Sequence, residues 1–397
     1  MTRALPPRLG GKTALLTFVA VIFAFVGETQ LTQYVQTTLG YQHSFFLFYI
    51  VHSSFILSFP LHLGYLLITT HHSFHTLLSG LSSAMTIQLT SRKSEESRTD
   101  HSSHFPLSRF LVMVLIMTAF YSTPALLWFI AVVYAPVTDV TAIWNANAFF
   151  AYLFSVKLLN LKWGLTRMCA VFLATAGVIT IVYAGSTPTV HSSVVTRDVI
   201  VARTPAPFIG DLLTLVASVL YGLYQVLYKK YVALPSELEL AAGSVHYTHI
   251  PASAEQAVDE ETLSPPLSAS NEIAYSLPFG LHPNFLTTCI GVCTLFVLWI
   301  PLPILHYYGI EEFALPSNIT TVAAIAGICA TGVIFNAGFM VLLGVWGPIV
   351  TSVGNLLTIV LTLISDLMLG SVGLTAGGLL GAGMIVGAFT VLAYDMF

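Results

Sequence analysis

The chain predicts an all-α integral membrane protein with ten transmembrane helices in two inverted five-helix repeats. Three observations lead there. Of its 397 residues 56% are hydrophobic and only 8% charged, against about 25% charged in soluble proteins. So few charges cannot cover a water-facing surface, and much of the surface must face lipid. Ten apolar segments follow one another, most near the roughly 20 residues needed to cross a bilayer. One stretch also occurs twice, as Val140-Thr141-Ala142-Ile143-Trp144-Asn145 and Val350-Thr351-Ser352-Val353-Gly354-Asn355. Thr141 then pairs with Thr351 and Asn145 with Asn355, at an offset that also carries Ser155 onto Ser365 and Gly177 onto Gly387.

The elements run in this order. Residues 1–12 are polar and basic, with Arg3, Arg8 and Lys12. The apolar run from Thr13 to Gly27 is short for a span, so the first helix must continue through Glu28-Thr29-Gln30-Leu31 toward Tyr34. A basic start and a short apolar run also fit a signal peptide, although Phe25 spoils a small-x-small cleavage site before the Gly27–Glu28 bond. The other spans are 44–68, 109–133, 137–159, 164–184, 208–230, 283–306, 320–343, 348–368 and 372–395. In lipid these must be helices, because every backbone polar group needs an internal partner. Residues 69–108 and 232–282 are polar, lack helical or strand periodicity and read as disordered loops. The first repeat covers 12–184 and the second 208–397, with 185–207 as the linker.

Lys and Arg positions set the orientation. With the N-terminus in the cytosol, twelve of the fourteen fall on the cytosolic side, and only Arg197 and Arg203 fall opposite. Both termini are then cytosolic, as are both long loops. The sequence does not separate an endomembrane (Golgi or vacuole) from the plasma membrane. The sequon Asn318-Ile319-Thr320 falls on the far side, too close to the membrane for efficient glycosylation. Because five is odd, the second repeat enters the membrane upside down. Such repeats place a substrate cavity between the halves near the midplane.

The Val-Thr-x-x-x-Asn helices, Gly210-Asp211-Leu212-Leu213 with Tyr221-Gly222-Leu223-Tyr224 and Lys229-Lys230, and the opening Gly27-Glu28-Thr29-Gln30 and Tyr49-Ile50-Val51-His52-Ser53-Ser54 carry a resemblance. With this layout, the chain resembles the drug/metabolite transporter superfamily, particularly fungal EamA-type and solute-carrier-35-like members. The resemblance implies a ten-helix transporter of organic solutes. It covers the membrane segments and neither long loop, and the Gly-Ala-Leu-Asn-Lys motif of nucleotide-sugar carriers is absent.

Candidate substrate-binding residues follow from polarity inside the spans. Thr351, Asn355, Thr358, Thr362 and Ser365 share one helical face, as do Thr141, Asn145, Ala148, Tyr152 and Ser155. They can line the cavity or join helices by hydrogen bonds. Glu28 is an intramembrane carboxylate, a functional candidate by type, unless it merely sits at the far interface. Tyr221, Tyr224, Gln225 and Tyr228 fall on one face of the sixth helix, where they can stack on a flat or cationic solute or anchor the interface. Asp211 reads as a helix-start carboxylate, and Asn336 is a further cavity candidate. Gly373, Gly377 and Gly381 recur every four residues, a close-packing pattern for another helix or a homodimer.

Other classes find little support. There is no nucleophile elbow, no phosphate-binding glycine loop and no clustered carboxylate–histidine set, so no enzymatic activity and no cofactor are expected. No basic patch with interleaved aromatics points to nucleic acid. Cys169, Cys289, Cys293 and Cys329 all lie in apolar segments and read as small buried hydrophobes. His71-His72-x-x-His75 invites a metal reading, but no intramembrane His/Asp pair follows; His52 and His62 read as core histidines. The sequence thus predicts a secondary transporter of a small organic solute, neutral or cationic, in the lipid bilayer. Two readings stand beside it: a non-transporting scaffold or sensor acting through its loops, and a metal transporter with a His-rich loop.

Overall fold

The structure is a computed structural model of the full chain, and it describes residues 11–70, 73–90, 105–134, 140, 143–161, 164–185, 207–234, 277–368 and 375–396. Among these residues all regular structure is helical. The helices are α1 (Gly11–Gln33, continued by a π turn Tyr34–Thr38), α2 (Ser44–Ser53), α3 (Ser58–Thr69), α4 (Phe74–Thr90), α5 (Leu107–Tyr134), α6 (Asn147–Leu158) and α7 (Leu165–Gly185). They are followed by α8 (Pro207–Tyr231), α9 (Leu281–Val297), α10 (Pro301–Tyr307), α11 (Ile319–Asn355), α12 (Leu357–Met368) and α13 (Ala376–Met396).

Seven helical stretches among the described residues are long and apolar enough to cross a membrane. One of them, Ile319–Ser365, takes in the sequence window 320–343 and most of 348–368. It is broken inside α11 at Gly347, whose φ of 77° is a conformation that favours glycine, and Pro348 starts the next segment. The window 137–159 lies partly outside the described residues, and the window 164–184 becomes α7.

Breaks inside spans are repaired by neighbours. Pro60 lacks the N–H that would meet Ile56 O. A 3-10 turn, Ser54–Leu57, separates α2 from α3, and the Thr288 hydroxyl of α9 lies within reach of Phe55 O and Ile56 O. Thr288 Oγ1 also accepts from Phe59 N–H at 2.8 Å. Gly291 permits this approach, since a Cβ there would sit 2.6 Å from Ile56 N.

The helices pair antiparallel. α1 runs against α11, with Phe18 on Trp346 near one end, Phe25 on Phe335 midway, and Tyr41 O–H donating to Ala314 O just beyond the other. α5 runs against α8, and α7 against α13, where Gly177 and Gly381 meet backbone to backbone. α2 and α3 pack on α9, α6 on α8, and α12 on α1.

Two expectations are corrected. The segment 69–108 contains the helix α4, which buries Leu77, Leu81, Ala84 and Met85 along one face. Its Gln88 Nε2 donates to Val232 O and Ala233 O, and Leu277 packs on Gly80. Serines and threonines thinned the apolar signal without removing the helical spacing. Asp211 does not open its helix, because α8 already begins at Pro207. Gly381 packs against Gly177 within the chain, and Gly373 lies outside the described residues.

Candidate functional site

The repeated stretch shows itself in the backbone. At its first copy Ala146 N–H donates to Ile143 O at 3.1 Å, and Phe149 N–H to Ala146 O at 3.0 Å. At its second copy Leu356 N–H donates to Val353 O at 3.1 Å, and Ile359 N–H to Leu356 O at 3.1 Å. Both helices therefore tighten to i→i−3 bonding directly after Asn145 and Asn355. Such interruptions in long helices frequently mark hinges. Both asparagines are buried. Asn355 Oδ1 and Thr351 Oγ1 form no hydrogen bond among the described residues. Thr141 and the side chain of Thr362 lie outside the described residues.

Beside the first copy lies a polar clasp. Gln225 of α8 donates from Nε2 to Asn147 Oδ1 at 3.3 Å, and its Oε1 accepts from the Ser352 hydroxyl. Ser352 also faces Pro348 O at 2.6 Å. Asn147 Nδ2 donates to Trp144 O, and so does the Ser218 hydroxyl. Gln225 thus joins a residue two places after Asn145 to the residue after Thr351. Gly222 lets α8 press onto α6, since a Cβ there would stand 2.9 Å from Ala151 N.

The second cluster centres on Glu28. Its neighbour across the helix pair is Gly332, where a Cβ would lie 3.2 Å from Glu28 Oε1. Gly332 sits midway between Ile319 and the break at Gly347, about 20 Å from each. Glu28 therefore faces mid-helix, and it does not lie at an end of the bundle. It is close enough to Tyr121, Tyr221 and Cys329 for its charge to act on each. The Tyr121 hydroxyl donates to Asn336 Oδ1, and Asn336 Nδ2 donates to Gly332 O at 2.8 Å. Trp144 stacks on Tyr221 at 5.0 Å, Tyr221 on Tyr224 at 6.0 Å, and Tyr121 meets Tyr224 edge-on at 5.2 Å.

Glu28, Tyr221 and Asn336 thus come together. Gln225 sits one helical turn from Tyr221, and Asn145 directly follows Trp144. Tyr221, Tyr224, Gln225 and Tyr228 are all buried in the bundle, which overturns the interfacial-anchor reading of that face. His52 is a core histidine: its Nδ1 lies 3.0 Å from Phe48 O and its ring 5.6 Å from Tyr121. His62 contacts Phe279 O at 3.1 Å. His71 and His72 lie outside the described residues, and His75 is exposed on α4. Sequence reasoning missed Tyr121, Trp144, Asn147 and Ser352. Thr118 and Ser122 around Tyr121 gave a weak signal, as polar residues inside an apolar span.

The two ends of the bundle differ. At the Ile319 end, Glu311 receives Phe45 N–H at 2.9 Å on Oε2 and Phe46 N–H at 3.0 Å on Oε1. Its carboxylate holds the start of α2. Asn318, the sequon residue, is itself engaged as the N-cap of α11, accepting from Thr320 N–H at 3.0 Å. At the Gly347 end, a cleft of about 210 Å³ opens among Arg167, Lys229, Asp395 and the broken turn Trp346–Pro348. Lys229 Nζ donates to Gly344 O at 2.7 Å, and Arg167 pairs with Asp395 at 2.6 Å.

Fold and site together define a membrane-type helical bundle whose polar and aromatic groups gather at mid-helix. No family model matches the chain. An uncharacterized transporter of Schizosaccharomyces pombe is 28% identical over 191 residues, a match covering 48% of this chain and 43% of that protein. The chain's match therefore spans less than half the length of this curated relative. A protein of solved crystal structure is similar with a TM-score of 0.55 at 11% identity, over 96% of this chain and 97% of that one. At that identity the likeness is one of fold.

Proposed function

We propose that this chain is a ten-helix secondary transporter, of the EamA or solute-carrier-35 type, that moves a small organic metabolite unchanged by alternating access between two inverted five-helix halves. The observation that carries the reading is the pair of matching helix interruptions after Asn145 and Asn355, at corresponding places of the two repeats. The helix pairing supports it. Exchanging the halves turns α1 against α11 into α8 against α5, and α6 on α8 into α12 on α1, while α7 against α13 maps onto itself. The clasp of Gln225 with Asn147 and Ser352 lies across the two halves, where a transporter of this design binds its solute. Similarity to a transporter points the same way. The charge bias assigns both termini, and the Gly347 end of the bundle, to the cytosol.

The test is flux of a labelled metabolite panel into liposomes holding the purified chain. A metabolite is expected to move, with Gln225→Leu or the double variant Asn145→Ala, Asn355→Ala slowing it at least tenfold, on the order of 1.4 kcal/mol. The reading fails if no metabolite moves and the double variant leaves the cellular phenotype unchanged. Tags at both termini should report the cytosol.

A further inference from the structure

The cluster around Glu28 bears on the class of solute, an inference that rests on the transporter reading and deepens it. We propose that Glu28, with the rings of Tyr121, Tyr221, Tyr224 and Trp144, binds a monovalent organic cation.

The first argument is charge. The Glu28 carboxylate forms no hydrogen bond or ion pair among the described residues; the ion pair found there is Arg167–Asp395, at the Gly347 end. The described lysines and arginines all stand near helix ends: Lys12 on α1, Arg109 on α5, Lys157 on α6, Arg167 on α7, and Lys229 and Lys230 on α8. None reaches mid-helix beside Gly332. A carboxylate at that depth is neutralised by a proton or by a cationic ligand. His52 and Cys329 are the other titratable groups beside the tyrosines, and His52 Nδ1 is already engaged by Phe48 O.

The second argument is the aromatic cluster that reaches that charge through Tyr121 and Tyr221. Trp144, Tyr221 and Tyr224 form a stack, and Tyr121 closes it edge-on. The Tyr121 hydroxyl donates to Asn336 Oδ1, and the Tyr224 hydroxyl to the Met340 sulfur at 2.8 Å. These bonds fix the orientation of both rings. Aromatic faces attract ammonium and flat organic cations strongly once water is excluded. A metal ion would need several hard or imidazole ligands, and no group of three or more His, Cys, Asp or Glu assembles among the described residues. One carboxylate with π surface therefore selects a singly charged organic ion.

Calorimetry on the full chain in lipid nanodiscs tests this, titrating benzyltrimethylammonium chloride at alkaline pH. Potassium chloride and the uncharged isostere neopentylbenzene serve as comparators. Saturable binding of the cation is expected, with neither comparator competing. Glu28→Gln should weaken binding about thirtyfold or more, Glu28→Asp by less than about tenfold, and Tyr221→Leu by about five- to tenfold. Glu28→Asp rescuing what Glu28→Gln loses separates charge from folding. The proposal is overturned if the cation does not saturate, if Glu28→Gln binds as well as the parent chain, or if the isostere or potassium competes equally. Metabolite flux without cation binding would overturn the site and leave transport standing. Cation binding without flux of any solute would uphold the site and overturn transport.

Discussion

The two ends of the bundle hold the same helices together by different means. At the Ile319 end the α1–α2 link is fastened to the chain before α11. Glu311 takes two backbone N–H groups of α2, Tyr41 donates to Ala314 O at 2.7 Å, and Phe46 meets Phe313 edge-on at 5.2 Å. At the Gly347 end the helices are parted by a cleft and joined at its edge by Arg167 and Asp395. Directed hydrogen bonds to backbone close one end. Among the described residues, a surface ion pair beside a broken helix leaves the other open.

The largest effect is expected away from both ends, at the close contact of α7 with α13. A Cβ on Gly381 would stand 2.5 Å from Gly177 O and 2.7 Å from Ile181. Gly381→Val should therefore cost about 3 kcal/mol by overpacking, read as thermal unfolding in detergent. Gly383→Ala, which meets nothing within 4 Å, should be neutral; equal losses for the two would remove the close contact from the explanation.

At the closed end, Glu311→Ala should cost about 2 kcal/mol by stripping charge-assisted bonds from two N–H groups, with Glu311→Gln intermediate. It should also raise the labelling rate of a cysteine placed at Phe46, and an unchanged rate would show that Glu311 does not hold this end shut. The Arg167–Asp395 pair should be worth far less. Its side chains are 39% and 34% exposed, so solvent screening keeps its coupling under about 1 kcal/mol. A double-mutant cycle repeated at high salt should see most of that vanish.

A further effect, confined to strongly alkaline solution, is a pH dependence of the closed end. Burial, and then the charge of Glu311, raise the Tyr41 pKa from 10.0 to about 12. The folded state therefore binds this proton more tightly than the unfolded chain. The stability it contributes is present below pH 10.0 and is lost as pH rises through about 12. Tyr41→Phe should flatten that alkaline limb; an unaltered limb would assign it to another group.

Legibility in the sequence was uneven, for physical reasons. Spans were readable because apolar runs of bilayer length have few alternatives. The break at Gly347-Pro348 was readable as a boundary between two windows, though not as a kink within one long helix. α4 was missed because its buried face is only four residues deep among serines and threonines. In the site, Glu28, Tyr221, Gln225 and Asn336 stood out as polar or aromatic groups in the wrong solvent. Tyr121 and Trp144 did not, since a lone aromatic in an apolar helix has no pattern to betray it.

By itself, the sequence determined the membrane-type helical class, the repeated Asn stretch and the existence of an unusual carboxylate in the first helix. Those depend on composition, period and offset, which are local or additive along the chain. Only the tertiary structure decided that Glu28 faces mid-helix Gly332, that Gln225 joins Asn147 to Ser352, and that Glu311 closes one end while the other lies open. Those depend on which helices pair and at what height, and that choice is made by glycine contacts such as Gly177 on Gly381 between segments far apart in sequence.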